Sequence, residues 1–231
     1  MPFTARSLIV LPAALLAAVV AGALTAPAAQ ATRVAAPQAP MILLLHGGGW
    51  MTGSPSSMIP WQDNFRAYGY RTRIVPYPFD ITRSIQSVAL VVEEERRRGA
   101  PVIAYGVSAG GTIAAALAAN GRVDGAVNIS GPTDLTRWLS PIGLLAGLKL
   151  SPAAKRAASP YWRLNGHQAP QLLQCGWADP ITTVDQCTRY VSRAKAGNPD
   201  TTLQAVLNVH SQWASDRDRA RAWVQARWPA R

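Results

Sequence analysis

The chain has 231 residues, 48% of them hydrophobic, and a formal net charge of +11 carried almost entirely by arginine. That length provides for one full hydrophobic core, or less readily two small domains. The basic residues are dispersed rather than gathered in a patch, which argues against a nucleic-acid partner and leaves at most a general attraction to anionic envelope polymers.

Taken in chain order, the first element is a targeting segment. Arg6 gives a short basic start, residues 8–24 form an apolar, alanine-rich run, and Ala29-Gln30-Ala31 has the small-x-small form of a cleavage site. Residues 1–31 therefore read as a secretory signal peptide. The rival reading is a membrane anchor, against which Pro12 interrupts the run. There is no cysteine beside the cleavage site to carry a lipid and no Arg-Arg pair before the run, so general export to the outside or the cell envelope is expected. No later stretch is long and apolar enough to span a bilayer, so no stable membrane span is expected after cleavage.

Residues 32–40 are a Pro/Ala-rich lead-in arm, and residues 41–231 form the expected catalytic domain. Residues 41–45 are a continuous apolar run, as in a strand buried on both faces. It ends at His46-Gly47-Gly48-Gly49-Trp50. A helix follows within 58–67, a strand over 70–75, and a helix over 82–98 that Gly99 and Pro101 terminate. The Glu93-Glu94-Glu95 and Arg96-Arg97-Arg98 blocks at its end read as a solvated face whose cations suit the helix dipole. Next come a strand over 102–105, a helix over 109–119 and a strand over 123–129. Residues 133–168 are irregular, with one helical piece near 142–148, and form a candidate insertion or cap. A strand over 171–175, a helix over 184–195, a strand over 203–209 and a helix over about 214–226 complete the chain. The alternation predicts an α/β fold with a mostly parallel sheet, helices on both faces, and ligands at the carboxyl ends of the strands.

Ser108 lies between a predicted strand and a predicted helix, flanked by Gly106 and Gly110, with Ala109 and Gly111 adding room. A sharp strand-to-helix turn needs such small neighbours and lifts the serine oxygen to the carboxyl edge of the sheet. The bland alternative is a structural turn serine. A hydroxyl nucleophile needs a base, and the chain has three histidines. His210 follows a late strand; His167, in the irregular segment, is the competing base; His46 reads as a loop-fixing hydrogen-bonder. The base needs an orienting carboxylate. Asp179 follows the strand ending at Cys175, with Asp185 and Asp134 as rivals and a helix-capping role as its bland reading. The glycines after His46 let backbone amides approach an anionic oxygen, with the Ala109 N–H as partner donor. Two cysteines, Cys175 and Cys187, in an exported chain favour a disulfide over a metal pair, since no further Cys or nearby His completes a zinc site. Such a bridge constrains the unfolded chain by roughly 3 kcal/mol. Trp50, Trp61, Trp138 and Trp177 fall near the candidate site loops, where they line a pocket or simply pack.

With these residues in place, the chain resembles the α/β-hydrolase superfamily, and is most similar to carboxylesterases of the hormone-sensitive-lipase type. The likeness rests on His46-Gly47-Gly48-Gly49-Trp50, Gly106-Val107-Ser108-Ala109-Gly110-Gly111, Ser130-Gly131-Pro132-Thr133-Asp134-Leu135, Asp179 and His210. It implies Ser108 as nucleophile, Asp179 as acid, His210 as base, and Gly48, Gly49 and Ala109 as oxyanion donors. It also implies a small-molecule or lipid ester substrate and no metal or organic cofactor. Three departures stand out: Val107 replaces a frequent Asp, the lead-in before Met41 is too short for the usual opening strands, and Ser211-Gln212 follows His210 in place of Gly. Acyl transfer or peptide cleavage would use the same residues. A non-catalytic binding module is the reading outside enzymology.

Overall fold

A computed structural model describes residues 38–147, 150–207, 209–210 and 214–230. The expected signal peptide and most of the lead-in arm lie outside the described residues, as do the Ser211-Gln212 pair and Trp213.

Met41–Leu45 form β1, buried throughout. Its residues alternate between two cores: Met41, Leu43 and Leu45 face one, Ile42 and Leu44 the other. A strand with apolar residues on both sides is stable only between two layers of helices. After a 3-10 turn at Pro55–Met58 come α1 (Ile59–Arg66), β2 (Arg71–Ile74), α2 (Ile81–Arg96), β3 (Val102–Val107), α3 (Ala109–Ala119) and β4 (Gly125–Ile129). Three short helices follow, α4 (Pro141–Gly147), α5 (Pro152–Ala158) and α6 (Pro160–Arg163). The chain then forms β5 (Gln171–Gly176), α7 (Val184–Lys195), β6 (Thr201–Val206) and α8 (Ala214–Arg227).

Among the described residues the strands make one six-stranded sheet in the order β2-β1-β3-β4-β5-β6, every neighbouring pair parallel. Phe65 of α1 and Ala220, Trp223 and Val224 of α8 pack on the side of Ile42, Leu44, Ile103 and Tyr105. α2 and α3 cover the opposite side through Ile85, Val88, Val92 and Ile113. Every residue of α3 is buried, and its run of alanines is what lets it lie so close to the sheet. Leu173 and Cys175 of β5 meet Tyr190 and Val191 of α7.

The strand order fixes where a ligand would sit. The chain steps from β1 out to β2, then crosses back over β1 to β3. The connections leaving β1 and β3 therefore diverge, opening a crevice between the carboxyl ends of these two strands.

Several segments differ from the sequence-based expectation, among them β3, β6 and the Glu/Arg run. β3 runs on to Val107, because Gly106 and Val107 keep their pairing with β4 despite the glycine. β6 spans Thr201–Val206 rather than 203–209: Thr201 and Thr202 pair with β5, whereas Leu207 is 82% exposed beyond the last ladder position. The apolar residues Leu207 and Val209 extend the expected strand too far. The Glu/Arg run is not simply a solvated face. Glu95 is buried and takes Arg73 of β2 at 2.9 Å and Arg98 at 2.6 Å, tying the end of α2 to the sheet edge.

Candidate active site

Ser108 occupies a left-handed backbone conformation, φ 52° and ψ −117°, between β3 and α3. A non-glycine residue held there costs of order 1–3 kcal/mol and persists only where its surroundings enforce it. They do so here. The Ser108 N–H donates to the Ile129 carbonyl at 2.7 Å, the Thr112 N–H donates to the Ser108 carbonyl at 3.0 Å, and the Gly110 N–H donates to the His46 carbonyl at 3.0 Å. The flanking glycines are required by space: a Cβ on Gly106 would strike the Gly110 carbonyl, and one on Gly110 the Leu45 carbonyl. The turn thus projects the hydroxyl at the start of α3, at the positive end of the helix dipole.

The Ser108 Oγ lies 2.8 Å from His210 Nε2, and His210 Nδ1 lies 2.8 Å from Asp179 Oδ2. The other Asp179 oxygen, Oδ1, accepts the N–H groups of Ile181 at 2.8 Å and Thr182 at 2.9 Å. A carboxylate only accepts, so Nδ1 carries the imidazole proton and Nε2 is left to accept the Ser108 O–H. Both loops start at neighbouring strand ends: Asp179 follows β5 and His210 follows β6. The Trp177 N–H donates to the Val206 carbonyl at 3.0 Å, joining the two where they leave the sheet.

The rival residues lie elsewhere. Asp185 is exposed in the first turn of α7. Asp134 is buried, and its Oδ1 accepts the Thr136 hydroxyl at 2.6 Å and the Trp162 indole N–H at 3.2 Å. His167 is exposed in the loop before β5. His46 is buried with its ring stacked on Tyr77 at 4.3 Å, and its Nδ1 donates to the Gly47 carbonyl at 2.6 Å. The Tyr77 hydroxyl donates to the His46 carbonyl, the same carbonyl that takes the Gly110 N–H.

The glycine loop after β1 turns back on itself: the Met51 and Thr52 N–H groups both donate to the Gly48 carbonyl at 3.0 Å. Gly48 has φ +120°, and a Cβ there would strike the Thr52 carbonyl. Gly47 is so close to the serine that a Cβ on it would sit 3.3 Å from Ser108 Cβ. Among the described residues, no backbone carbonyl takes the N–H of Gly48 or Gly49, and Ala109, first in its helix, has no intrahelical acceptor.

A cleft of about 310 Å³ opens over Ser108 and His210. Its apolar walls are Met51, Val107, Ile142 and Ile181. Met51 belongs to the loop 51–61 and Ile142 to the segment 133–168, both expected to shape a pocket, whereas sequence reasoning missed Ile181; no local pattern marks any of the three individually. Of the four tryptophans near the site loops, none lines this cleft. Trp138 is buried and its indole N–H donates to the Ile181 carbonyl at 2.7 Å, bracing the loop that holds Asp179. Trp50 packs edge-on to Trp138 and donates to the Ser84 hydroxyl at 3.0 Å, Trp61 of α1 packs against the core that α8 also covers, and Trp177 is exposed. Gln186 of α7 is a second unanticipated brace. Its side-chain carbonyl accepts the Thr133 N–H at 3.1 Å and the Asp134 N–H at 2.8 Å. Cys175 and Cys187 are joined by a disulfide, which brackets the loop carrying Asp179 between β5 and α7.

No protein-family model matches the chain, and no curated protein does. Solved structures do. The chain is similar to the native structure of a thermophilic esterase, Est2, from the Planctomycetes species Thermogutta terrifontis, at a TM-score of 0.72 and 16% identity over 84% of each chain. The propionate-bound form of that esterase matches at a TM-score of 0.72 and 16% identity, over 84% of this chain and 85% of the other. The form phosphonylated by sarin matches at 0.71 and 15%, over 84% and 86%. At such identities the likeness establishes the fold alone, the α/β-hydrolase fold.

Proposed function

We propose that this chain, with its α/β-hydrolase fold, is an exported serine hydrolase that cleaves carboxylic esters through an acyl-serine intermediate. The observation that carries the reading is the unbroken hydrogen-bond chain from Asp179 Oδ2 through both His210 nitrogens to Ser108 Oγ, each link 2.8 Å. As the ester carbonyl is attacked, the Ser108 proton moves to His210 Nε2, and Asp179 stabilises the imidazolium that results. The amides of Gly48, Gly49 and Ala109 are the assigned donors to the oxygen that gains charge. His210 then gives its proton to the departing alkoxide, releasing the alcohol. A water deprotonated by His210 attacks the acyl-serine, and the acid leaves with Ser108 restored. No step needs a cofactor.

Export rests on residues 1–31 acting as a signal peptide, with the disulfide in keeping with an oxidising destination. Among the described residues no helix is long and apolar enough to cross a membrane. Placement with the hormone-sensitive-lipase-type carboxylesterases rests on the HGGGW and GVSAGG motifs. The Thermogutta esterase, solved with propionate and with butyrate bound, supports an acyl group held at the site.

The test is covalent labelling. A fluorophosphonate probe is expected to label the wild-type protein and not Ser108→Ala, and hydrolysis of a short p-nitrophenyl ester should fall by at least about 10⁴-fold in that variant. Equal labelling of the two proteins would remove Ser108 from the nucleophile's role. Added alcohol acceptors and a peptide panel separate hydrolysis from acyl transfer and peptide cleavage.

A further inference from the structure

Beyond the Ser108 cleft lies a second cavity of about 210 Å³, on the far side of Gly49 and Met51. The two cavities share those two residues, and neither Ser108 nor His210 lines the second one. Its walls are chiefly apolar, with Phe79, Ile81, Leu145, Ala146 and Leu150 around it. The carboxyl group among them, Asp80, is engaged with the backbone, since its Oδ1 accepts the Arg83 N–H at 2.7 Å and caps α2. Phe79 and Leu145 are more than half exposed at its rim, large apolar side chains left facing water.

The partition between the cavities is thin. Gly49 has no side chain, and the space above its Cα holds Ile142 Cγ2 and Met51 Cε, which a Cβ would meet at 3.3 and 3.4 Å. Methionine is unbranched and turns freely about three bonds, and Met51 is 45% exposed. The Met51 side chain therefore borders both cavities and is free to turn between them.

We infer that the second cavity is an apolar subsite for the distal part of the substrate's acyl chain, reached past Met51. The inference rests on the ester-hydrolase reading. An ester's leaving oxygen must meet His210 Nε2, and its carbonyl oxygen the glycine loop, so the acyl substituent leaves the carbonyl carbon away from His210. The second cavity borders the glycine loop at Gly49 and is lined by neither His210 nor Ser108. The substrate class is then esters of acids longer than the first cleft alone holds.

The test uses p-nitrophenyl acetate and decanoate with wild type, Leu145→Trp, which fills the second cavity, and Met51→Ala, which widens the passage. Leu145→Trp is expected to lower kcat/KM for decanoate by about tenfold or more while acetate stays within about twofold. Met51→Ala is expected to raise the decanoate-to-acetate ratio. An equal effect of Leu145→Trp on both esters, or none on either, would overturn the subsite. Calorimetric titration of decanoate and acetate into Ser108→Ala, with and without Leu145→Trp, gives a readout independent of turnover. Decanoate binding that Leu145→Trp weakens supports the subsite even where no ester is hydrolysed, a result that would sink the hydrolase reading alone. Decanoate binding indifferent to Leu145→Trp would overturn the subsite.

Discussion

Asp179 divides its two oxygens between two roles, one holding its own loop through the amides of Ile181 and Thr182, the other facing His210. A carboxylate so fixed cannot rotate away from the imidazole without breaking two backbone bonds. The serine turn is legible in the sequence because its steric demand is local: Gly106 and Gly110 stand next to the residue they make room for. The braces are not. Trp138 meets Ile181 and Gln186 meets Thr133 only after the chain has folded, and nothing near either residue announces its partner. Buried phenols give a testable pH limit. Burial pushes both Tyr77 and Tyr190 well above the ordinary value of 10.0. The unfolded chain releases these protons near pH 10, whereas the folded chain retains them. Their contribution is thus complete below pH 10 and is lost progressively as the pH climbs towards the folded-state values. Urea midpoints are expected to fall above pH 10 in wild type and to fall less steeply in Tyr190→Phe. That variant should start about 1 kcal/mol lower at neutral pH, for want of the bond to Gln171. Identical alkaline slopes would rule the phenol out as the cause.

At the scale of elements, α3 and α7 match their expected spans because each is a long helix bounded by clear signals. α5 and α6 leave little trace in the sequence, being short and opened by prolines, and the apolar residues that suggest a longer β6 are exposed beyond its end. The disulfide acts at this scale. It ties the end of β5 to the first turns of α7 and closes the loop of Asp179 from both sides. Replacing both cysteines by serine is expected to lower stability by roughly 3 kcal/mol, measured by chemical denaturation. If the acid's position depends on that closure, kcat for a short ester should fall while KM changes little. A loss of stability with kcat intact would make the bridge a staple for the fold alone.

For the whole molecule, the strand order explains why residues far apart in sequence converge. Ser108 and the glycine loop flank the crevice where the connections diverge, while Asp179 and His210 reach it from β5 and β6. The alternation of apolar runs and helical segments makes this parallel sheet legible in the sequence, but not the order of its strands, which depends on which crossover each helix makes. Among the described residues β6 is an outer strand, laddered to β5 alone. The base thus hangs from an outer strand, while the nucleophile sits over the centre of the sheet. On heating, the two should separate before the fold is lost: the margin frays first, and His210 goes with it. Fluorophosphonate labelling measured during a slow temperature ramp is expected to fade some degrees below the far-UV melting transition. Coincident curves would mean that β6 is held as firmly as the middle of the sheet.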